Sequence, residues 1–254
     1  MTNPIHNPKL HDEIRRHPHP LLFVTLSGAH LYGFPSANSD FDLRGVHVLP
    51  TSQLIGLDMP EETHTLMYDR DGLEMDLVTH DARKFFLMML KPNGYVLEQL
   101  LSPLVLHALP AHEQLKAIGQ ACITRHHARH YLGFAKGQWD LYAKGTPRRV
   151  KPLLYVFRVL LTGIHLMRGG GLQADLSLLN QEFKLPYLTD LISLKREGSE
   201  KEPAPTEDFQ FHHSEYLRLT QLLETSYANS QLPEATNCRA ELDQLLRQIR
   251  SEVG

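Results

Sequence analysis

Asp40 and Asp42 flank a single phenylalanine, directly behind Ser39. In an extended chain, residues two apart project from one face, so the two carboxylates are expected side by side. Two like charges held close repel unless a cation lies between them or one takes up a proton. Such a pair suits Mg²⁺ (or Mn²⁺), which takes one or two carboxylates and completes its shell with water and phosphate oxygens. Upstream stands Ser27-Gly28-Ala29, a glycine turn whose backbone N–H groups can face an anion. A phosphate cradle beside a divalent-cation site is what nucleotide chemistry requires.

A third carboxylate comes from Asp76, inside the otherwise apolar run Leu73-Glu-Met-Asp-Leu-Val-Thr79. An acid in such a strand is costly to bury without a partner, and pairing across a sheet with Asp40 and Asp42 would supply one. Glu74 shares its face and is the alternate candidate. Farther on, Lys151, Tyr155, Arg158, Thr162 and His165 recur at helical spacing, which places them on one face of a helix. A basic and hydroxylic stripe of this kind can grip a triphosphate. Lys151 and Arg158 are the expected phosphate contacts, and Tyr155 is the expected neighbour of base or ribose.

The elements that must position these groups are legible as runs. Residues 21–26 form an apolar strand, followed by one helical turn between Gly28 and Gly33 and a polar loop over 35–39. A second strand covers 43–49, a third 63–68 and a fourth 73–79, with residues 69–72 as an Asp-Gly hairpin turn. A helix is expected over 8–16, and others over 82–90 and 95–101, with Glu98 at the mouth of the site. The helix carrying Lys151 is expected over 147–167, with Pro147 in its first turn and Gly169-Gly-Gly171 ending it. Residues 197–207 read as a flexible loop or linker, and 209–227 and 234–252 as a helical hairpin.

The order strand, glycine turn, Ser39-Asp40-Phe41-Asp42-Leu43-Arg44-Gly45-Val46 and strand resembles the DNA polymerase β-type nucleotidyltransferase superfamily. It is most similar to a bacterial and phage branch of predicted nucleotidyltransferases, some of them associated with RNA repair. The resemblance implies an α/β fold, with a small mixed-sheet nucleotidyltransferase core over 1–108 and a mostly helical domain over 109–254. It further implies Asp40, Asp42 and Asp76 as catalytic, metal-holding residues, and Ser27, Gly28, Ala29 and Ser39 as nucleotide contacts alongside Lys151, Tyr155 and Arg158. The family usually places Ser after the first glycine. Here Ala29 stands there, which leaves backbone amides to do more of the phosphate binding.

Composition narrows the function classes. A net charge of −3 gives no global pull toward nucleic acid or membrane, so any anion-binding surface must be local. Cys122 and Cys238 lie far apart and suggest no disulfide framework or zinc pattern. No basic-then-apolar leader is recognised and no apolar run is as long as a membrane span, so a cytoplasmic protein without a membrane partner is expected. Basic residues cluster from Arg125 to Arg168, opposed only by Asp140. The part from Arg125 to Arg149, with Tyr131, Phe134, Trp139 and Tyr142 interleaved, together with the RNA-repair association that the resemblance implies, makes an RNA end the expected acceptor. The expected reaction is transfer of a nucleoside monophosphate from an NTP to an acceptor hydroxyl, releasing pyrophosphate. The alternatives are a protein or small-molecule acceptor, or a nucleotide-binding protein whose catalysis was lost with the change at Ala29.

Overall fold

The computed structural model describes residues 4–70, 72–169, 171–198 and 208–253. Asp71 of the expected hairpin turn, Gly170 of the glycine run and residues 199–207 of the expected loop lie outside the described residues. After a short 3₁₀ turn come helix α1 (Pro8–Arg15), strand β1 (Leu21–Leu26), the turn α2 (Gly28–Leu31), β2 (Phe41–His47), α3 (Thr51–Leu54), β3 (Thr63–Arg70) and β4 (Leu73–Asp81). They continue as α4 (Ala82–Met89), α5 (Gly94–Leu100), β5 (Val105–Ala108), α6 (Pro110–Ala121), α7 (His127–Lys144) and α8 (Val150–Gly169). The remaining helices are α9 (Leu176–Phe183), α10 (Pro186–Glu197), α11 (Phe209–Asn229) and α12 (Arg239–Val253). The fold is α/β, as the sequence implied.

Two compact units divide the chain, and the division is discontinuous. The first takes the chain up to Gly28, Asp40–Cys122 and everything from Ala235 onward; the second takes Ala29–Ser39 and Ile123–Glu234. The expected boundary between 108 and 109 is therefore displaced. Helix α6 packs Ala111 and Leu115 into the core of the first unit, and the far end of the chain returns there as α12 through Leu242, Leu245 and Ile249. Burying these apolar faces outweighs chain order. The same return pairs Cys122 with Cys238 as a disulfide across 116 residues, contrary to the expectation drawn from their separation.

In the first unit the sheet has five strands in the order β3-β4-β2-β1-β5. It is mixed: β2 and β4 run parallel, and the other neighbours are antiparallel. One core packs Leu26, Leu43, Met75 and Leu77 with Leu10 and Ile14 of α1. The other gathers Val46, Phe85, Met89, Leu115 and the apolar side of α12. Along β4 the burial alternates, with Leu73, Met75 and Leu77 buried and Glu74 exposed, the pattern that a two-faced strand dictates.

The second unit is built round α8. This helix is 20 residues long and apolar enough to cross a membrane by composition alone, yet most of its side chains are buried inside the unit. It is the core helix there, with Leu153, Leu154, Phe157, Leu160, Leu161 and Ile164 fully buried. Pro147 lies outside it, before its first residue Val150.

Candidate active site

Gly28 and β2 fit together closely. Gly28 has φ +58°, and a Cβ there would lie 1.9 Å from Asp42 Oδ2. Any larger residue would thus meet strain and a clash together. The Ser27 backbone N–H donates to the Asp42 carbonyl at 2.7 Å, fastening the turn to the strand. Ser27, expected as a nucleotide contact, is buried and spends its amide on this fastening.

Parallel pairing of β2 with β4 sets Asp42 opposite Asp76, in a register that runs unbroken from Phe41↔Met75 to His47↔Asp81. Register therefore selects Asp76, not the exposed Glu74, as the neighbour of Asp42. Both carboxylates meet the guanidinium of Arg44. Its Nη2 donates to Asp42 Oδ1 and to Asp76 Oδ2, each at 2.9 Å. Nη1 donates to the carbonyls of Leu43 and Asp76, each at 2.8 Å, and Nε donates to the Tyr95 hydroxyl at 2.8 Å. Burial by itself would lower the Arg44 pKa; Tyr95, then Asp42 and Asp76, outweigh it and hold the group above its ordinary value.

Sequence reasoning missed Arg44 and Tyr95. The signal for Arg44 was present, since it follows Asp42 by two positions and must share its face. Tyr95 gave none, because only packing of α5 brings it to the sheet. Asp40 sits half-buried just before β2. Among the described residues no three His, Cys, Asp or Glu side chains gather as a metal-holding group; Arg44 joins Asp42 and Asp76 directly. Glu98, expected at the mouth of the site, is buried.

The remaining expected nucleotide contacts belong to the second unit. Ser39 is buried, its hydroxyl accepting from the Ser36 N–H at 3.0 Å and lying 3.1 Å from the Ser36 hydroxyl. Lys195, only 1 % exposed, donates to that Ser36 hydroxyl at 3.2 Å. Ala29 is buried as well. Arg158 is only 2 % exposed and lies 3.8 Å from the centre of the Tyr32 ring. Tyr155 meets Tyr32 and Phe34 edge-on at 5.4 and 5.7 Å. Guanidinium groups stack well on aromatic faces, so Arg158 and Tyr155 clasp residues 29–39. The expected open basic stripe is in this respect a packing face. Lys151, the second residue of α8, is half-buried.

The expected base-stacking rings are also corrected: Tyr131, Trp139 and Tyr142 are buried, and Phe134 is half-buried. Trp139 stacks inside the unit on Tyr216 at 4.7 Å and on His213 at 5.3 Å. Several cations of the expected RNA surface have partners within the unit: Arg125 with Tyr227 and Glu234, Lys136 with Asp140, and Arg148 over Phe209. Arg129, Lys144 and Arg149 are exposed, although Arg129 also donates to the Tyr227 hydroxyl at 3.2 Å.

The sequence of residues 3–248 matches the family described as the RNA repair pathway DNA polymerase beta family. The chain belongs to this family. Among relatives of this polymerase beta family member, an uncharacterized protein of Methanocaldococcus jannaschii is 31 % identical over 214 residues, covering 83 % of this chain and 86 % of its own. The uncharacterized protein YcgL of Bacillus subtilis is 25 % identical over 249 residues, covering 92 % and 90 %. A crystal structure of a nucleotidyltransferase-like protein from Exiguobacterium sibiricum aligns with 97 % of this chain and 87 % of its own, at 13 % identity and a TM-score of 0.33.

Proposed function

We propose that this polymerase beta family member is a divalent-metal-dependent nucleotidyltransferase that moves a nucleoside monophosphate from an NTP to an acceptor hydroxyl. The observation that carries the reading is the Asp42–Asp76 pair, set side by side by strand register and drawn to the Arg44 guanidinium. Mg²⁺ takes one or two carboxylates and fills its shell with phosphate and water oxygens, and this pair offers that donor set. Asp40, just ahead of the strand, is the proposed third donor. When bound, Mg²⁺ or Mn²⁺ would neutralise charge on the reacting phosphate and lower the pKa of the attacking hydroxyl.

The chain's own residues do the rest. Gly28 leaves room for Asp42, and the N–H groups of Gly28 and Ala29 are proposed to receive phosphate oxygens. Lys151 is the proposed phosphate contact of the second unit, with Arg158 and Tyr155 as candidates whose contacts with Tyr32 and Phe34 make them holders of residues 29–39. As the acceptor oxygen bonds to the α-phosphorus, the bond from that phosphorus to the bridging oxygen breaks and pyrophosphate leaves. Asp76 is proposed to take the hydroxyl proton. Such transfer depends mainly on positioning and charge neutralisation.

An RNA end is the proposed acceptor, supported by the family's description and by exposed Arg129, Lys144 and Arg149. Burial of Tyr131, Trp139 and Tyr142 favours a second reading, in which a protein or small molecule is modified. Incubation with α-labelled NTPs, Mg²⁺ or Mn²⁺ and a panel of single-stranded RNA, protein and small-molecule acceptors tests both. Label on RNA supports the first and label elsewhere the second. No transfer to any acceptor, with no pyrophosphate released, would overturn the proposed reaction.

A further inference from the structure

Arg44 is a complete hydrogen-bond knot. A guanidinium has five N–H donors, and each meets an acceptor: one the Tyr95 hydroxyl, two the carbonyls of Leu43 and Asp76, two the carboxylates of Asp42 and Asp76. The group is therefore fixed in place, and it is always charged. The two carboxylates are drawn to the same nitrogen, each by one oxygen. A divalent ion approaching them meets a net side-chain charge of one negative unit from this trio, not two. It also meets a positive neighbour held a few ångström away. Even at the high effective dielectric of protein sites, that repulsion exceeds thermal energy several-fold.

Taking the metal-dependent reading as given, we infer that Arg44 sets a threshold on metal uptake. The Asp42–Asp76 pair holds a divalent ion weakly by itself and firmly only when a triphosphate arrives with it. A triphosphate brings several negative charges, which offset the guanidinium and supply the remaining oxygen ligands. Arg44 meanwhile keeps the two like charges together before any ion arrives, a state in which they would otherwise repel. Tyr95 is the anchor that keeps the guanidinium from turning aside. The arrangement gives a nucleotidyltransferase a site that is assembled in advance and loads its ion together with its substrate.

The test is Mn²⁺ binding to the full chain, read from the electron paramagnetic resonance of free Mn²⁺, with and without a non-hydrolysable NTP analogue. Wild type should bind Mn²⁺ weakly alone and at least about tenfold more tightly with the analogue, equivalent to about 1.4 kcal/mol. Arg44→Gln should bind Mn²⁺ alone at least about tenfold more tightly than wild type, and gain less from the analogue. Arg44→Lys, which keeps the charge without the fork, should fall between wild type and Arg44→Gln. If Arg44→Gln binds Mn²⁺ alone no better than wild type, the threshold is refuted and Arg44 only positions the carboxylates. Should Arg44→Gln fail to fold, Tyr95→Phe decides: loosening the guanidinium should raise affinity for Mn²⁺ alone about two- to threefold, and no rise overturns the proposal. Failure of the underlying reading looks different: wild type would then take up no Mn²⁺ even with the analogue, or Asp76→Asn would leave uptake unchanged.

Discussion

The two ends of the β2–β4 pair carry aspartates with opposite fates. At one end, Asp42 and Asp76 are partly open, and each gives one oxygen to Arg44. At the other, Asp81 is fully buried. Its Oδ1 accepts from the Arg83 N–H at 2.9 Å and from Arg250 at 2.7 Å, and its Oδ2 accepts from the Leu49 N–H at 3.1 Å. Arg250 also reaches the Leu49 carbonyl. Asp81 is spent on structure: it caps α4 and ties α12 to the sheet. What distinguishes the two ends is exposure: the Asp42 and Asp76 side chains stay partly open to solvent, whereas Asp81 is sealed inside the fold.

The surroundings differ in the same sense. Beside Asp81, His47 packs on His17 and His19 at ring distances of 5.5 and 5.1 Å, and both His17 Nε2 and His47 Nδ1 bond the Thr79 hydroxyl at 2.9 Å. Burial pushes His47 down to about 3, helped by the charges of His17 and His19 and opposed by Asp81. Burial likewise pushes His17 to about 4, opposed by the His19 backbone and reinforced by His64 and His19. Here burial holds the imidazoles neutral beside the Asp81–Arg250 ion pair, whereas at the other end Arg44 is held charged beside Tyr95, Asp42 and Asp76.

The sharpest way to break the comparison is to remove one carboxylate at each end. Asp42→Asn or Asp76→Asn should lower nucleotidyl transfer by about 10³-fold or more, the scale lost with a main electrostatic contact, while the melting temperature stays near wild type. Arg250→Ala should do the reverse. Stranding buried Asp81 should cost about 3–5 kcal/mol in denaturant unfolding, with transfer per folded molecule unchanged. Equal loss of activity from both would erase the distinction.

Acidification sharpens it further. The folded values of His17 and His47 lie below the unfolded value of about 6.5, so between roughly pH 4 and 6.5 the unfolded chain binds more protons. The stability these groups contribute is complete above pH 6.5 and falls as the pH drops. The expected loss from pH 7 to pH 5 is on the order of a few kcal/mol, read from denaturant midpoints. His47→Gln should flatten that dependence, and an unchanged slope would place the titrating groups elsewhere. The smallest expected effect concerns the second unit. Lys151→Ala should weaken NTP binding about five- to tenfold by calorimetry, on the scale of one charge-assisted contact, and unchanged affinity would remove it from the site.

Much of the first unit was legible because its signals are local. The apolar run before Gly28, the i, i+2 aspartates and the alternation round Asp76 each follow from strand geometry. Arg44 was hidden in plain view: its meaning depends on Asp76 lying across from Asp42, and register between strands is not written in either one. Return of α12 to the first unit, with Cys238 meeting Cys122, depends on long-range burial that spacing cannot express. The stripe on α8 was read correctly as one face, but periodicity cannot tell a face open to ligand from one filled by residues 29–39. Buried Arg158 and half-buried Tyr155 pack on Tyr32 and Phe34, distant in sequence.

The central claim is that Asp42 and Asp76 together hold the reaction's divalent ion. It is tested most directly by anomalous diffraction from crystals grown with Mn²⁺ and a non-hydrolysable NTP. The account predicts a Mn²⁺ peak within coordination distance of both carboxylates, roughly 2.0–2.3 Å, with a phosphate oxygen in the same shell. A triphosphate bound with its Mn²⁺ elsewhere, and Asp42 and Asp76 still both on Arg44 with no ion beside them, would contradict it.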